Sequence, residues 1–253
     1  MIDLHSHLLP GVDDGSKTIE QSVRVLQAMR EAGVTGLCLT PHHSVGRIPR
    51  GLPASHDEAY AALSAVVPDG ITLYRGVELM LDRPIPADIR EFPGLTLGGT
   101  RRILVEFTYG AAVPAVANAL TQIVQAGLVP VLAHPERYRA CTPQAVSHWK
   151  AIGALMQVDA TTILTGRGRG QRARELLAHG LADIIAADNH GDGRSIGAGY
   201  RFLCEAGGAF QADLLAVKNP GAILADEAVE PVPPLPIKTG IMDKLKQLLG
   251  PTE

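Results

Sequence analysis

The sequence predicts an α/β fold, a distorted (β/α)7 barrel, on three observations. Seven short β-rich runs alternate with stretches of helical periodicity, the pattern of a parallel sheet with crossover helices. The number of runs suits an incomplete or distorted barrel, with a two-domain open sheet as the alternative. Every run also ends in a His, Asp or Glu, and the C-terminal strand ends are where parallel barrels carry their chemistry.

The predicted strands are 2–5, 36–40, 71–77, Arg102–Glu106, Val129–Ala133, Leu155–Asp159 and 182–187. Helical periodicity fills the gaps. Apolar residues at 19, 23, 26 and 29 predict a helix over 19–32, with Thr18 and Gln21 at capping-box spacing and Gly33 as its stop. A second helix is expected over 113–126, ending at Gly127. The most apolar stretch, 110–133, contains Pro114, Asn118, Gln122, Gln125 and Pro130, so it reads as helix then strand and not as a membrane span. From about residue 228 the sequence becomes Pro-rich (EPVPPLPIKTG), followed by an amphipathic stretch at 242–249. The expected organisation is therefore one catalytic-type domain over 1–228 and a peripheral linker and tail over 229–253.

Composition narrows the function classes. A hydrophobic content of 46% and a mean hydropathy of +0.11 supply a large core across 253 residues, which argues against disorder. Net charge of -3 and a pI near 6.3 exclude a nucleic-acid scaffold that relies on bulk positive charge. The cations are 17 Arg against 6 Lys, a bias compatible with an anionic ligand because the guanidinium fork matches phosphate and carboxylate. Cys38, Cys141 and Cys204 are odd in number and widely spaced, neither a disulfide framework nor a zinc-finger pattern. With no basic region or apolar leader in MIDLH, a cytoplasmic protein is expected.

The strand ends carry the site. The first ends in His5-Ser6-His7 and the second runs into Thr40-Pro41-His42-His43. The third and fourth deliver Glu78 and Glu106, and the fifth His134-Pro135-Glu136-Arg137. The sixth delivers Asp159 and the seventh Asp188-Asn189-His190. Imidazole and carboxylate without thiolate suit Mn, Fe or Zn. His5 and His7, two apart on extended backbone, face one way and can hold one ion, and Asp188 and His190 repeat that spacing. Any one of these groups alone reads as a capped or paired side chain; together on one rim they read as a site for two or three divalent ions. His56, His148 and His179 read as surface or helix residues, and His43 as intermediate because it adjoins His42.

Taken together, IDLHSHLLPGVDDGSKT, LTPHH, GVEL, LVEF, AHPERY and AADNH, with NPGAIL near residue 220, resemble the PHP (polymerase and histidinol phosphatase) metallohydrolases. The nearer resemblance is to the bacterial capsule- and exopolysaccharide-associated protein-tyrosine phosphatases of the CpsB/CapC/YwqE type. The resemblance implies a distorted seven-stranded barrel with three ions, Mn first and Fe or Zn as alternatives. It implies His5, His7, Glu78 and Asp188 around one ion, Glu78, Glu106 and His134 around a second, and Asp14, His42 and His190 around a third. Asp14 stands where histidinol-phosphatase-type relatives usually present a histidine; Asp13 is expected to be its loop neighbour. The segment 44–56 (SVGRIPRGLPASH) shares little with the family beyond a glycine after the histidines.

The implied reaction is hydrolysis of a phosphotyrosine ester on a protein, by attack of metal-activated hydroxide. Three divalent ions and four carboxylates leave two positive charges, a match for a phosphate-monoester dianion. Arg137 and Arg194, just beyond His134 and His190, are the expected phosphate forks. The implied partner is the tyrosine-rich tail of a bacterial tyrosine kinase of polysaccharide export. Nucleic acid and membrane insertion are not expected. Cysteine-phosphatase chemistry is excluded, because the positions six beyond each Cys are Ser44, Ser147 and Phe210 instead of Arg. No Lys follows a Gly, so there is no Walker-type phosphate loop. A small-molecule phosphatase or nuclease with the same metal core, and a non-catalytic kinase-binding module, are the alternatives.

Overall fold

A computed structural model describes residues 1–237. All strand pairings are parallel, in two sheets. One has the order β1 (Ile2–Asp3), β2 (Gly36–Leu39), β4 (Thr72–Arg75). The other runs β3 (His42–Ser44), β5 (Glu78–Met80), β6 (Arg102–Glu106), β7 (Val129–Ala133), β8 (Leu155–Asp159), β9 (Ile184–Ala186). A bridge between Ser6 and Asn189 joins the first run back to the last.

Seven of the nine strands among the described residues fall within the seven expected runs; β3 and β5 lie just beyond the second and third, which resume after a break. The second breaks between β2 and β3 at Pro41, which has no N–H to give to a ladder. The third breaks between β4 and β5 at Gly76, where a Cβ would stand 3.0 Å from Leu97. Through these breaks the lower halves β2 and β4 join the sheet of β1 and the upper halves β3 and β5 join that of β6, and the single turn Leu97–Gly99 packs against β4 and β6.

The helices follow their apolar spacing. In α1 (Ile19–Glu31), Ser22, Leu26 and Met29 are buried at i, i+4 and i+7. Thr18 caps it, accepting from the Gln21 amide at 3.2 Å. The Gln21 side chain does not complete the capping box; it donates to the Gly191 carbonyl at 2.8 Å and ties the helix to the last strand's loop. Beyond it, α2 covers Ala54–Ser64, and α3 (Val113–Gln125) buries Val116, Leu120 and Ile123 by the same spacing. Next come α4 (Pro143–Ile152), with Trp149 fully buried, and α5 (Arg169–Ala178). Finally α6 (Ile196–Glu205), α7 (Ala209–Asp213) and α8 (Asn219–Leu224) close the chain's body.

Two apolar clusters result. The larger lies between strands and helices; the smaller, with Leu4, Cys38, Leu104, Val131, Ala133 and Ile184, lies inside the ring of strands. The described part of the Pro-rich stretch packs on the fold. Val232 and Leu235 are buried, the Leu235 amide donates to Leu177, and the Asn219 side chain bonds the backbone of Glu230 at both ends. The amphipathic stretch 242–249 lies outside the described residues.

Candidate metal centre

Strand alternation aims most of the site inward. Val77, Val105 and Ala187 pack in the outer cluster, so Glu78, Glu106 and Asp188 face the ring's interior above its apolar floor. His134 breaks that rule. It follows inward-facing Ala133 and would point outward from a regular strand. Its backbone instead takes the left-handed conformation (φ 34, ψ 57), which turns Nε2 to 2.8 Å from Glu78. Asp188 is left-handed too (φ 49), a conformation uncommon outside glycine for which Asp and His are among the better-suited residues.

The DDG loop reaches the site by a close approach. A Cβ on Gly15 would lie 1.9 Å from the His7 carbonyl oxygen, so only glycine lets the loop lie on His7, where the Ser16 amide bonds that carbonyl at 2.8 Å. Asp13 is then more than a neighbour of Asp14. Its Oδ2 accepts from His7 Nδ1 at 2.7 Å and from the His42 amide at 3.1 Å. Burial opposes its charge, but the His7 hydrogen bond and charge hold the carboxyl down at about 2.

Three groups of ligand atoms form, each with all its atoms within 4.8 Å of one another. The deepest is His5, His7, Glu78 and Asp188, with side chains 0–1% exposed. The second is His42, Glu78 and Glu106; the third is His7, Asp14, His42 and His190. Eight of the nine residues expected as ligands fall into these groups. His134 stands outside them but touches Glu78, and its Nε2 lies 3.9 Å from Glu106. His42 and His7 each serve two groups, so the structure links the three more closely than three separate ligand sets would.

The deepest group is built to surround a cation. His5 donates Nδ1–H to Gln157 Oε1 at 2.9 Å and His7 donates to Asp13, which leaves both Nε2 lone pairs facing each other at 3.1 Å. Glu78 Oε2 and Asp188 Oδ1 lie 3.2 to 3.4 Å from the same nitrogens, buried and without a hydrogen bond. Four acceptors converging on one point are repulsive unless positive charge stands between them. The titration behaviour agrees. Burial opposes a charged His5, yet Glu78 and Asp188 raise its pKa; for His7, burial is outweighed by Asp13, Asp188 and Glu78, and its pKa lies well above the usual value. Burial likewise opposes Glu78 and Asp188, but His5 and its neighbours hold both far below the carboxylate range. The residues present therefore fit divalent ions.

The two arginines meet at the edge of this group. Arg137 pairs with Asp188 Oδ2, and Arg194 comes within 3.5 Å of the same oxygen. Arg137 also reaches Asp159 Oδ2 at 3.3 Å, while Asp159 Oδ1 accepts from Thr161 and Thr162. Behind them Glu136 bonds the Asp159 amide at 2.9 Å, and burial, then the Asp159 charge, pushes its carboxyl up to about 8. Asp159, Glu136 and Gln157 position groups of the site. The sequence puts Asp159 on the rim without giving it a role, because no local pattern distinguishes a buried bracing carboxylate from a ligand. Of the four remaining histidines three fall apart from the centre, His56 buried within α2 and His148 and His179 exposed, while His43 is buried beside His42.

A ring of parallel strands whose C-terminal ends gather imidazoles and carboxylates, without thiolate, defines an α/β protein with a candidate metal centre at the strand ends. The chain belongs to the CpsB/CapC family of capsular polysaccharide synthesis, whose sequence profile matches residues 1–225. It is 31% identical over 198 residues to the tyrosine-protein phosphatase YwqE of Bacillus subtilis, covering 75% of this chain and 77% of that one. It is 29% identical over 245 residues to the tyrosine-protein phosphatase CpsB of Streptococcus pneumoniae, covering 90% of this chain and all of the relative. The crystal structures of YwqE and CpsB, described as metal-dependent tyrosine phosphatases, share its fold, with a TM-score of 0.76 and 24% identity over 94% of this chain. A prolidase solved with N-methylphosphonate-L-proline shares the general fold at a TM-score of 0.51 and 13% identity. The family expected from the motifs is the family found.

Proposed function

We propose that this protein is a metal-dependent protein-tyrosine phosphatase acting on the phosphorylated tail of a bacterial tyrosine kinase of polysaccharide synthesis. The observation that carries the reading is the meeting of Arg137 and Arg194 at Asp188 Oδ2, on the border of a centre shaped for divalent ions. Metal groups beside paired guanidinium forks are the recurring apparatus for a phosphoryl group.

His5, His7, Glu78 and Asp188 would hold one ion, Glu78, Glu106 and His134 a second, and Asp14, His42 and His190 a third. Such ions supply a water acidified toward a pKa of ~7 and neutralise charge on the phosphoryl oxygens. The chain's own residues do the rest. Arg137, tethered by Asp159, and Arg194, tethered by Asp192 at 2.8 Å, turn their free donors to the phosphate oxygens and fix its orientation. Asp13 and Gln157 hold His7 and His5 in the tautomer that leaves Nε2 bare. A tyrosine phenolate, with a parent pKa of ~10, departs without a dedicated proton donor, which suits a site where none is evident among the described residues.

The test is a side-by-side assay of Mn-loaded protein on a phosphotyrosyl peptide, histidinol phosphate and DNA. The phosphotyrosyl peptide should be turned over at least tenfold better in kcat/KM. Preference for either other substrate would contradict the reading. Binding of a tyrosine kinase without turnover would favour a non-catalytic module.

A further inference from the structure

Beside the centre lies a cavity of about 350 Å³ lined by His42, His43, Ser44, Arg47, Met80 and Glu106. It opens from the second ligand group, since His42 and Glu106 belong to both. Its other walls differ in character from the centre. Met80 is half-buried and offers a thioether, a soft contact for an aromatic ring. His43 is buried, with Nε2 carrying no hydrogen-bond partner.

The rim of this cavity is a single 3-10 helix, Val45–Arg50, in the segment that shares least with the family. Val45 and Ile48 are its anchors, 3% and 1% exposed, so the helix is fixed to the core. Arg47 and Arg50 are thereby turned to solvent, and neither has an ion pair among the described residues. A third guanidinium lies beside the same helix: a Cβ on Gly46 would lie 2.6 Å from Arg83 Cζ. The carboxylate nearest in chain to this group is Asp82, which takes Arg83 at 3.4 Å on an exposed edge. Arg47 and Arg50 on a fixed helix, with Arg83 beside Gly46 and already paired to Asp82, form a cationic strip at the mouth of a cavity whose own carboxylate is the largely buried Glu106.

We propose that this strip is a docking surface for acidic residues flanking the phosphorylated tyrosine, with Arg47 the specificity-determining residue. The inference rests on the phosphotyrosine reading and adds to it. The aromatic ring enters between Met80 and His43, its phosphate meets the metal groups, and carboxylates one or two residues away in the substrate reach Arg47 and Arg50. Exposed pairs of this kind are individually weak and salt-sensitive, so they set preference between substrates more than overall affinity.

The experiment compares two phosphotyrosyl peptides differing only in flanks, Glu/Asp against Lys, by kcat/KM and by fluorescence-anisotropy binding. The Mn-loaded wild type, Arg47→Glu and Arg47→Glu/Arg50→Glu are measured at ~0.05 and ~0.5 M salt, bracketing Debye lengths of several Å to more than ~10 Å. The wild type should favour the acidic peptide about fivefold at low salt. That ratio should fall to one or below in the variants and shrink at high salt. Because the ratio is taken within one preparation, partial loss of fold cancels. Turnover of both peptides with a ratio near one, or a ratio the variants leave unchanged, overturns the inference alone. Displacement of the acidic peptide by a single-stranded oligonucleotide of equal charge, just as well as by unlabelled peptide, also overturns it. No turnover of either peptide overturns the phosphatase reading and this inference with it.

Discussion

The two ends of the metal centre are built to opposite specifications. His5, His7, Glu78 and Asp188 are 0–1% exposed and braced by Asp13, Gln157 and Arg137. In the outer group the side chain of Asp14 is 68% exposed, that of His42 38%, and that of His190 19%. Burial of charge demands that every neighbour be placed in advance, whereas an exposed ligand can be satisfied by water until an ion arrives. The inner group is therefore part of the buried fold, whereas the outer group faces solvent.

The largest effect should come from the residue that both inner groups share. Glu78→Gln keeps the shape and removes the charge, and it should lower phosphotyrosine turnover by about 10³ or more and release metal measurable by elemental analysis. Retention of full metal and activity would break the distinction between the two ends. Next in size, Arg137→Ala should lower kcat/KM by about 10²-fold with metal content unchanged, read by steady-state kinetics. Bracing comes third: Asp13→Asn should weaken metal affinity by about 10-fold or more, measured with a chelator-buffered titration. Asp14→Asn, at the open end, should cost less and be rescued by excess Mn, a rescue that Glu78→Gln should not show.

The smallest effect is on stability. In chelator-treated protein, His5, His7 and His42 have raised pKa values, since burial is outweighed by carboxylate charge, and for His42 Glu106 and Glu78 lift it to about 10. A raised folded-state pKa stabilises below the unfolded value of ~6.5 and loses that contribution as pH climbs. The stripped protein's Tm should therefore fall between pH ~6.5 and ~10, while metal-loaded protein, whose ligands are already deprotonated, should show a shallower decline.

Much of this architecture is legible in the amino-acid sequence. Several strand ends announce a candidate ligand because alternation puts apolar residues on one side and leaves the terminal carboxylate on the other, as at Val105 and Glu106. What the sequence does not carry is geometry that defies alternation. His134 reaches the site only through a left-handed backbone, which histidine adopts more readily than most residues but too rarely for the sequence to announce it. The family resemblance separates Asp14 from Asp13 but leaves Asp13 as a mere loop neighbour; the close pass of Gly15 over His7 is what gives Asp13 its bracing contact and leaves Asp14 in solvent. The broken strands are half-legible: Pro41 forbids a continuous ladder, but the break at Gly76 depends on Leu97, distant in sequence. Asp159 and Glu136 act through Arg137, and a contact between partners from different strands has no local signature.

Whether ions held by these residues hydrolyse phosphotyrosine is decided by one paired measurement. Metal content and phosphotyrosyl-peptide turnover are determined on the same samples of wild type and His134→Ala. Wild type should hold two to three divalent ions per chain and turn the peptide over, and His134→Ala should lose metal and activity together. A His134→Ala protein that remains fully metallated and active would contradict the account.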